Sequence, residues 1–458
     1  MSSRVAGVIL AVHGGDCVIG RMRGSLPGTL CAGGAFLVLT ATFAACGPST
    51  GGDTAPGAPQ TLAAEREAFR KHLITGVIED ALSRGPAPGE DSTWEAAFWG
   101  MELASYTSAH TGAAIERAFQ VYASQGQSFR RALLEVVYAL YPESFIAATD
   151  SVSRTTNDEK LFAMSTLHAL RGGRISTSEA RERLSGRFPR WEDHPILRML
   201  AQDLDAAAGR SLPRPPLADL LAYPFPGDAP VLFSLQRSDR RYQGRAVVRD
   251  RARRFLRDSA GRYFSVAQLA LSAANLPGYL TNGNTPQGVL SFQGYDVSRN
   301  RFIGPTPNLQ LVLPAEVSPG VFFHKAIQGD TVWGRVRYLA VLPPEWRLYA
   351  PIWEAYYAGE AGRTEIIAHG TAIDPDFYRG KVFFPNTPSL GCLTAPEEWS
   401  PVTGQLVRSE QRRLVEALQR VGFEGGFCVV VNIGNDPAPV TDEEIAPLLA
   451  AAEQRVSP

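Results

Sequence analysis

The chain has 458 residues, with 45 Lys or Arg against 46 Asp or Glu and a formal net charge of −1. That length allows two or three domains, each able to bury its own core. The balanced charge and the lack of any basic block exclude the electrostatic footprint of a nucleic-acid binder.

At the N-terminus, Arg21 and Arg23 precede an uncharged run from Leu30 to Ala45, which ends in small residues before Cys46. A positive flank, a short apolar stretch and a small-residue boundary make an export signal. The run is too short for the roughly 20 residues that cross a bilayer. Residues 1–46 therefore read as a signal peptide, with an uncleaved anchor helix as the alternative. Ala44-Ala45-Cys46-Gly47 resembles a bacterial lipobox, with Phe43 where an aliphatic residue is usual. The resemblance implies lipidation of Cys46 and a membrane-anchored, periplasm-facing protein. Gly47 beside the lipidated Cys points to the outer membrane in a two-membrane bacterium. Residues 47–60 are too poor in apolar side chains to fold and read as a flexible tether.

Residues 61–210 read as helical. Apolar residues recur at three- and four-residue steps around Phe98, Leu134, Phe162 and Leu197. These blocks recur at roughly the length of a helix-pair repeat, so a solenoid-like stack is expected, with an irregular bundle as the alternative. Trp94, Phe98, Trp99, Tyr138 and Tyr141 are expected in its core. His72, His110, His168 and His194 are scattered, without acidic partners at metal-ligand spacing. Residues 211–230 hold Pro213, Pro215, Pro216, Pro224 and Pro226, which cannot continue a helix, and read as a linker.

From Val231 short β-type runs alternate with turn-rich segments, so residues 231–435 are expected to form a mainly-β (α+β) domain. Candidate strands are Val231–Leu235, Gly288–Phe292, Leu309–Leu313, Thr331–Tyr338, Glu365–His369 and Cys428–Val431. Candidate helices are Ala267–Ala274 and Gln405–Val421, the latter stopped by Gly422. Residues 436–458 carry a terminal helix opened by Thr441-Asp442-Glu443-Glu444, a capping box. The fold class is thus multidomain, an all-α repeat-like region followed by a mainly-β domain.

Outside the signal the chain has two cysteines, Cys392 and Cys428. Cys428 sits in a buried-strand pattern and reads as a small apolar filler, so two free thiols are expected rather than a disulfide. Cys392 differs. It follows Ser389 and Gly391, and His369-Gly370 ends the apolar run 23 residues earlier. A thiolate attacks acyl carbons, an imidazole can take and return its proton, and glycine lets backbone N–H groups approach an oxyanion.

His369-Gly370 followed by Ser389-Leu390-Gly391-Cys392-Leu393-Thr394 resembles the signature of the YkuD-type L,D-transpeptidases, bacterial cysteine enzymes of the cell wall. Thr285-Pro286-Gln287-Gly288 resembles the strand entrance near the start of that domain. Leu390 and Thr394 stand where the family has His and Arg or Asn, and the His-to-Cys interval is longer than usual. The resemblance implies Cys392 as nucleophile, His369 as base, Ser389 as the hydroxyl beside the loop, and amides around Gly391 and Cys392 as oxyanion donors. Gly370, Thr394, Arg363 and Arg379 are its candidates for substrate binding. It implies peptidoglycan stem peptides as substrates, a thioester intermediate, and no metal or organic cofactor. An amine acceptor gives a 3→3 cross-link. Water instead gives a carboxypeptidase or amide hydrolase. A third possibility is a catalytically degenerate cell-wall scaffold whose helices recruit protein partners.

Overall fold

The computed structural model describes residues 61–86, 91–210, 212–298, 300, 302–325, 332–371 and 374–456. The expected signal, Cys46 and the tether lie outside them.

The first helix, α1 (Ala63–Lys71), runs on through wide π-helical turns at His72–Glu79 into α2 (Asp80–Ser83). It is followed by α3 (Asp91–Ala104), α4 (Ala109–Val121), α5 (Gln127–Leu140), α6 (Ile146–Thr155), α7 (Glu159–Arg171), α8 (Thr177–Arg187) and α9 (Pro195–Ala207). Local chemistry sets their starts. Ser108 and Thr111 form a reciprocal capping box on α4, and the Asp158 carboxylate accepts the Leu161 N–H of α7 at 2.8 Å. The apolar periodicity then decides the packing: α3, α5, α7 and α9 stack in series, each on the one before it. Trp94, Phe98 and Trp99 are buried in that stack as expected.

The proline-rich stretch contains a short helix, α10 (Leu217–Ala222), whose Leu217, Leu220 and Leu221 are buried. It carries the chain into an eight-stranded mixed sheet of order β3-β2-β1-β10-β4-β5-β6-β7. The strands are β1 (Val231–Arg237), β2 (Gly244–Arg249), β3 (Val266–Gln268), β4 (Gly288–Asp296), β5 (Asn308–Val312), β6 (Ile366–Gly370), β7 (Leu393–Ala395) and β10 (Gly426–Gly434). A separate hairpin pairs β8 (Glu397–Trp399) with β9 (Leu406–Ser409). Just past β3, Leu269 exchanges both backbone hydrogen bonds with Thr394 of β7, at 2.8 and 2.9 Å, so the sheet nearly closes into a barrel. Short helices α11 (Pro319–Phe322), α12 (Arg335–Tyr338) and α13 (Glu354–Glu360) lie between β5 and β6. Helix α14 (Glu410–Arg420) lines the concave side against β2, β3, β5, β6 and β7, and α15 (Asp442–Val456) ends the chain.

Five of the six expected strands lie where the apolar runs are. Thr331–Tyr338 does not. Val332 and Val336, its alternating apolar residues, are 71% and 80% exposed, and Arg335–Tyr338 is helical. The buried Tyr338 decides that segment: its hydroxyl donates to Ile352 O at 3.1 Å and accepts the Val289 N–H at 2.8 Å. Ala267–Ala274 is strand and extended chain rather than helix, because Leu269 is needed to close the barrel. The expected helix Gln405–Val421 begins instead at Glu410, capped by the Ser409 hydroxyl, with β9 before it. Its stop at Gly422 has the left-handed φ of 64° that a C-terminal glycine supplies.

The linker does not separate two cores. Residues 57–458 form one compact unit, and a single apolar cluster runs from Phe162 and Leu200 of the helices to Phe233 and Val429 of the sheet. Phe225 sits at the junction, its ring 5.6 Å from that of Phe427 and 6.3 Å from that of Phe233. Replacing Phe225 with Ala is expected to cost about 3–5 kcal/mol. In urea titrations the far-UV dichroism of the helices and the tryptophan fluorescence should shift together; displacement of only one signal would reveal two independent cores.

Candidate active site

The strand pairing builds the site. β6 and β7 are parallel, with Ala368 opposite Leu393, His369 opposite Thr394 and Gly370 opposite Ala395. Carried one residue back, this register sets Cys392 beside Ile367. Side chains alternate between faces. Ile366, Ala368 and Leu393 therefore share the face packed on Leu414 and Leu418 of α14. Cys392 and His369 share the other face, two residues apart along neighbouring strands.

The resting state of the pair is neutral. His369 is only 3% exposed, and its Nδ1 lies 3.0 Å from Gly370 O. A carbonyl can only accept, so Nδ1 carries the proton and Nε2 keeps the lone pair that a general base requires. Burial lowers the imidazole pKa to about 4. The Cys392 thiol is pushed up by burial, an effect opposed by a backbone hydrogen bond from Ile367 and by the nearby Arg363 guanidinium. Its S–H points to Glu365 O at 3.8 Å, and no hydrogen bond joins it to His369 among the described residues. Glu365 itself has a left-handed φ of 62°, an unusual conformation for a residue with a side chain.

Around Cys392 the loop is braced from inside. Ser389 Oγ donates to Cys392 O at 3.0 Å and accepts the Gly391 N–H at 3.0 Å. Ser389 thus acts on the loop's shape. The Gly391 amide, expected as an oxyanion donor, is already engaged and does not offer that hydrogen bond. The Gly391 carbonyl accepts from Thr285 Oγ1 at 2.9 Å, so the Thr-Pro-Gln-Gly segment packs directly on the Cys392 loop. Gly391 has φ 110°, and a Cβ there would collide with the Arg363 guanidinium and Gly283 O. Only glycine fits.

Arg363 has a different job from the expected substrate contact. It is 6% exposed, and its guanidinium donates to the carbonyls of Gly278, Asn284 (2.8 Å), Gly283 (2.6 Å) and Gly391 (3.5 Å). Burial lowers its pKa to about 10, with the Glu354 carboxylate opposing, so it stays charged at neutral pH. Glu354 of α13 accepts the N–H groups of Gly278 (2.7 Å) and Gln287 (2.8 Å). Nothing in the Trp353-Glu354-Ala355 context marks Glu354 from sequence as a loop tie. The helical region supports the same loop. Tyr279 OH donates to Asp203 of α9 at 2.8 Å, and Lys160 of α7 reaches Thr281 Oγ1 at 2.8 Å.

The remaining candidates have partners within the protein. Thr394 is fully buried with its hydroxyl on Thr387 O at 2.8 Å. Gly370 is buried against the Glu397 carboxyl, which an added Cβ would overlap. Arg379 is 70% exposed and paired with Asp376 at 2.6 Å. Asp374 is paired with Arg70 of α1, so neither loop acid orients His369. His324 is a brace, its Nε2 2.9 Å from Ser291 Oγ. Cys392 and Cys428 are free, and Cys428 is wholly buried.

Two outcomes follow. Gly391→Ala should lose about 3 kcal/mol or more from strained φ and overpacking, read as a lower urea midpoint. His369 also makes stability pH-dependent. Its folded pKa of about 4 lies below the ordinary 6.5, so its contribution is complete above 6.5 and is lost as pH falls towards 4. That loss should reach about 3 kcal/mol, and His369→Gln should flatten the wild-type stability profile in this window.

No protein-family model, curated protein or solved structure matches the chain.

Proposed function

We propose that the chain is a cysteine acyltransferase of the bacterial cell wall, an L,D-transpeptidase acting on peptidoglycan stem peptides. The observation that carries this reading is the register of β6 and β7, with Cys392 and His369 on one face and the Nε2 lone pair of His369 available. The Ser389, Thr285 and Arg363 bracing of the nucleophile loop supports it.

In the proposed reaction Cys392 Sγ attacks the carbonyl of a stem-peptide amide while its proton passes to His369 Nε2. The C–N bond breaks, the leaving amine takes that proton, and the acyl group remains as a thioester. An amine of a second stem attacks the thioester and regenerates the thiol, forming the cross-link. Water in place of the amine gives the carboxypeptidase outcome. The Arg363 charge favours the thiolate as it develops. Oxyanion donors are then amides other than that of Gly391. Neither step requires ATP, metal or an organic cofactor. The same proposal holds the protein in the periplasm through lipid on Cys46, with the helices available to cell-wall partners.

The raised thiol and weakly basic imidazole favour one second reading, a stem-peptide-binding scaffold on a catalytically silent site. Intact-mass spectrometry separates the two. Wild type incubated with a tetrapeptide muropeptide or a carbapenem should gain one acyl adduct, and Cys392→Ala none. Absence of any wild-type adduct, with stem-peptide binding retained, selects the scaffold; the same adduct on Cys392→Ala overturns the proposed nucleophile.

A further inference from the structure

One residue beside Cys392 has a backbone conformation that its own chemistry disfavours. Glu365, just ahead of β6, has a left-handed φ of 62°, where a Cβ crowds the following carbonyl. Such a conformation persists only where neighbouring groups hold it. Glu316, in the turn after β5, is the group that does so. Its Oε1 accepts the Glu365 N–H at 3.0 Å, and its Oε2 accepts the Leu313 N–H at 2.8 Å. The turn is itself fixed. Ala315 is also left-handed, with φ 68°, and the Glu316 N–H donates to Leu313 O at 3.3 Å. Gly359 of α13 sits against the same turn, where an added Cβ would overlap Pro314 O. Burial raises the Glu316 carboxyl above its ordinary range, and the two backbone N–H groups oppose that.

The Glu365 peptide leads to the thiol. Its carbonyl accepts the Cys392 S–H at 3.8 Å, while the Ile367 N–H, two residues on, favours the ionised sulfur. One backbone acceptor thus serves the thiol and one backbone donor serves the thiolate. The charges near the sulfur are Arg363, which favours the thiolate, and the exposed Glu365 carboxylate, which opposes it.

We propose that Glu316 is a positioning residue for Cys392: its carboxylate holds Glu365 in the left-handed conformation that aims Glu365 O at the sulfur. Glu316 acts through the Glu365 peptide. Its effect on reaction rate rests on the acyl-transfer reading; its effect on the thiol does not. Without that carbonyl the S–H loses its acceptor, which lowers the thiol pKa, and the sulfur loses its fixed direction of approach.

Alkylation of Cys392 by iodoacetamide across pH, followed by intact mass, reads the thiol directly. Glu316→Ala should move the midpoint down by about half a pH unit or more. It should also slow formation of the carbapenem adduct about tenfold. A merely loosened fold would expose the wholly buried Cys428, so that thiol should stay unmodified. Glu365→Gly and Glu365→Val decide the matter if Glu316→Ala fails to fold. Both remove the same charge, but glycine takes a positive φ freely and valine does not. The Gly variant should keep its midpoint about half a pH unit above that of the Val variant. A wild-type midpoint in folded Glu316→Ala, or equal midpoints for the Gly and Val variants, overturns the proposal. Shifted midpoints beside a wild type that forms no acyl adduct support it and remove only the acyl-transfer reading.

Discussion

The buried guanidinium of Arg363 is the interaction on which the site depends. Placing a cation where it is 6% exposed forfeits hydration worth roughly several kcal/mol, and only well-placed partners can offset that. Here the offset comes from four backbone carbonyls, on Gly278, Gly283, Asn284 and Gly391, together with the charge of Glu354. One planar fork thereby ties the Gly278–Thr285 loop to the Cys392 loop. A lysine ammonium, with a single nitrogen, cannot hold the same set in one plane. The glycine at 391 is the complementary half of the design, since the guanidinium occupies the space where its Cβ would be.

The same charge enters the energetics of the thiol, but it does not win. Burial raises the Cys392 pKa more than Arg363 and the backbone lower it, and burial also makes His369 a weak base. Desolvation acts on both groups against the thiolate–imidazolium pair. Both therefore rest uncharged, and under the proposed acyl transfer a proton would pass between them during attack rather than before it. A neutral His369 with Nδ1 committed to Gly370 O is already in the tautomer needed to receive that proton.

Much of this was legible from residues. Short apolar runs bounded by Gly and Pro marked β1, β4, β5, β6 and β10, because a strand buried on both faces leaves little else. His369 and Cys392 stood out because one ends such a run and the other follows Ser389 and Gly391 in a short loop. What was hidden depends on tertiary partners. Ala267–Ala274 carries small apolar residues that suit a helix, and pairing with Arg245, Thr394 and Ser389 draws most of it out instead. Val332 and Val336 alternate like a strand, yet the partners of Trp333 and of the buried Tyr338 fix the segment. Arg363 looked like a charge free to meet a substrate; its neighbours in sequence say nothing of the carbonyls that surround it. Thr394 was likewise a candidate for substrate binding, yet its hydroxyl is committed to Thr387 O inside the protein.

The helical region belongs in this account as a wall rather than an appendage. α9 packs on α13, the helix that carries Glu354. Asp203 and Lys160 reach Tyr279 and Thr281 on the loop that Arg363 clamps. Tyr378, in the segment after His369, donates its hydroxyl to Leu103 O of α3. Deeper in the stack, burial and mutual repulsion push the Glu102 carboxyl well above the usual carboxylate range beside Glu135. The positive charges of Arg131, Lys160 and Arg363 oppose the effect of burial on Glu135 of α5. One apolar cluster joins Leu134, Phe162 and Leu200 of the helices to Tyr279 and Leu280 of the clamped loop and to Phe233 and Val429 of the sheet, so the stack and that loop share a core. The length of the chain ahead of the sheet therefore has a structural consequence: the helices hold the second wall of the site against the strands that carry the first.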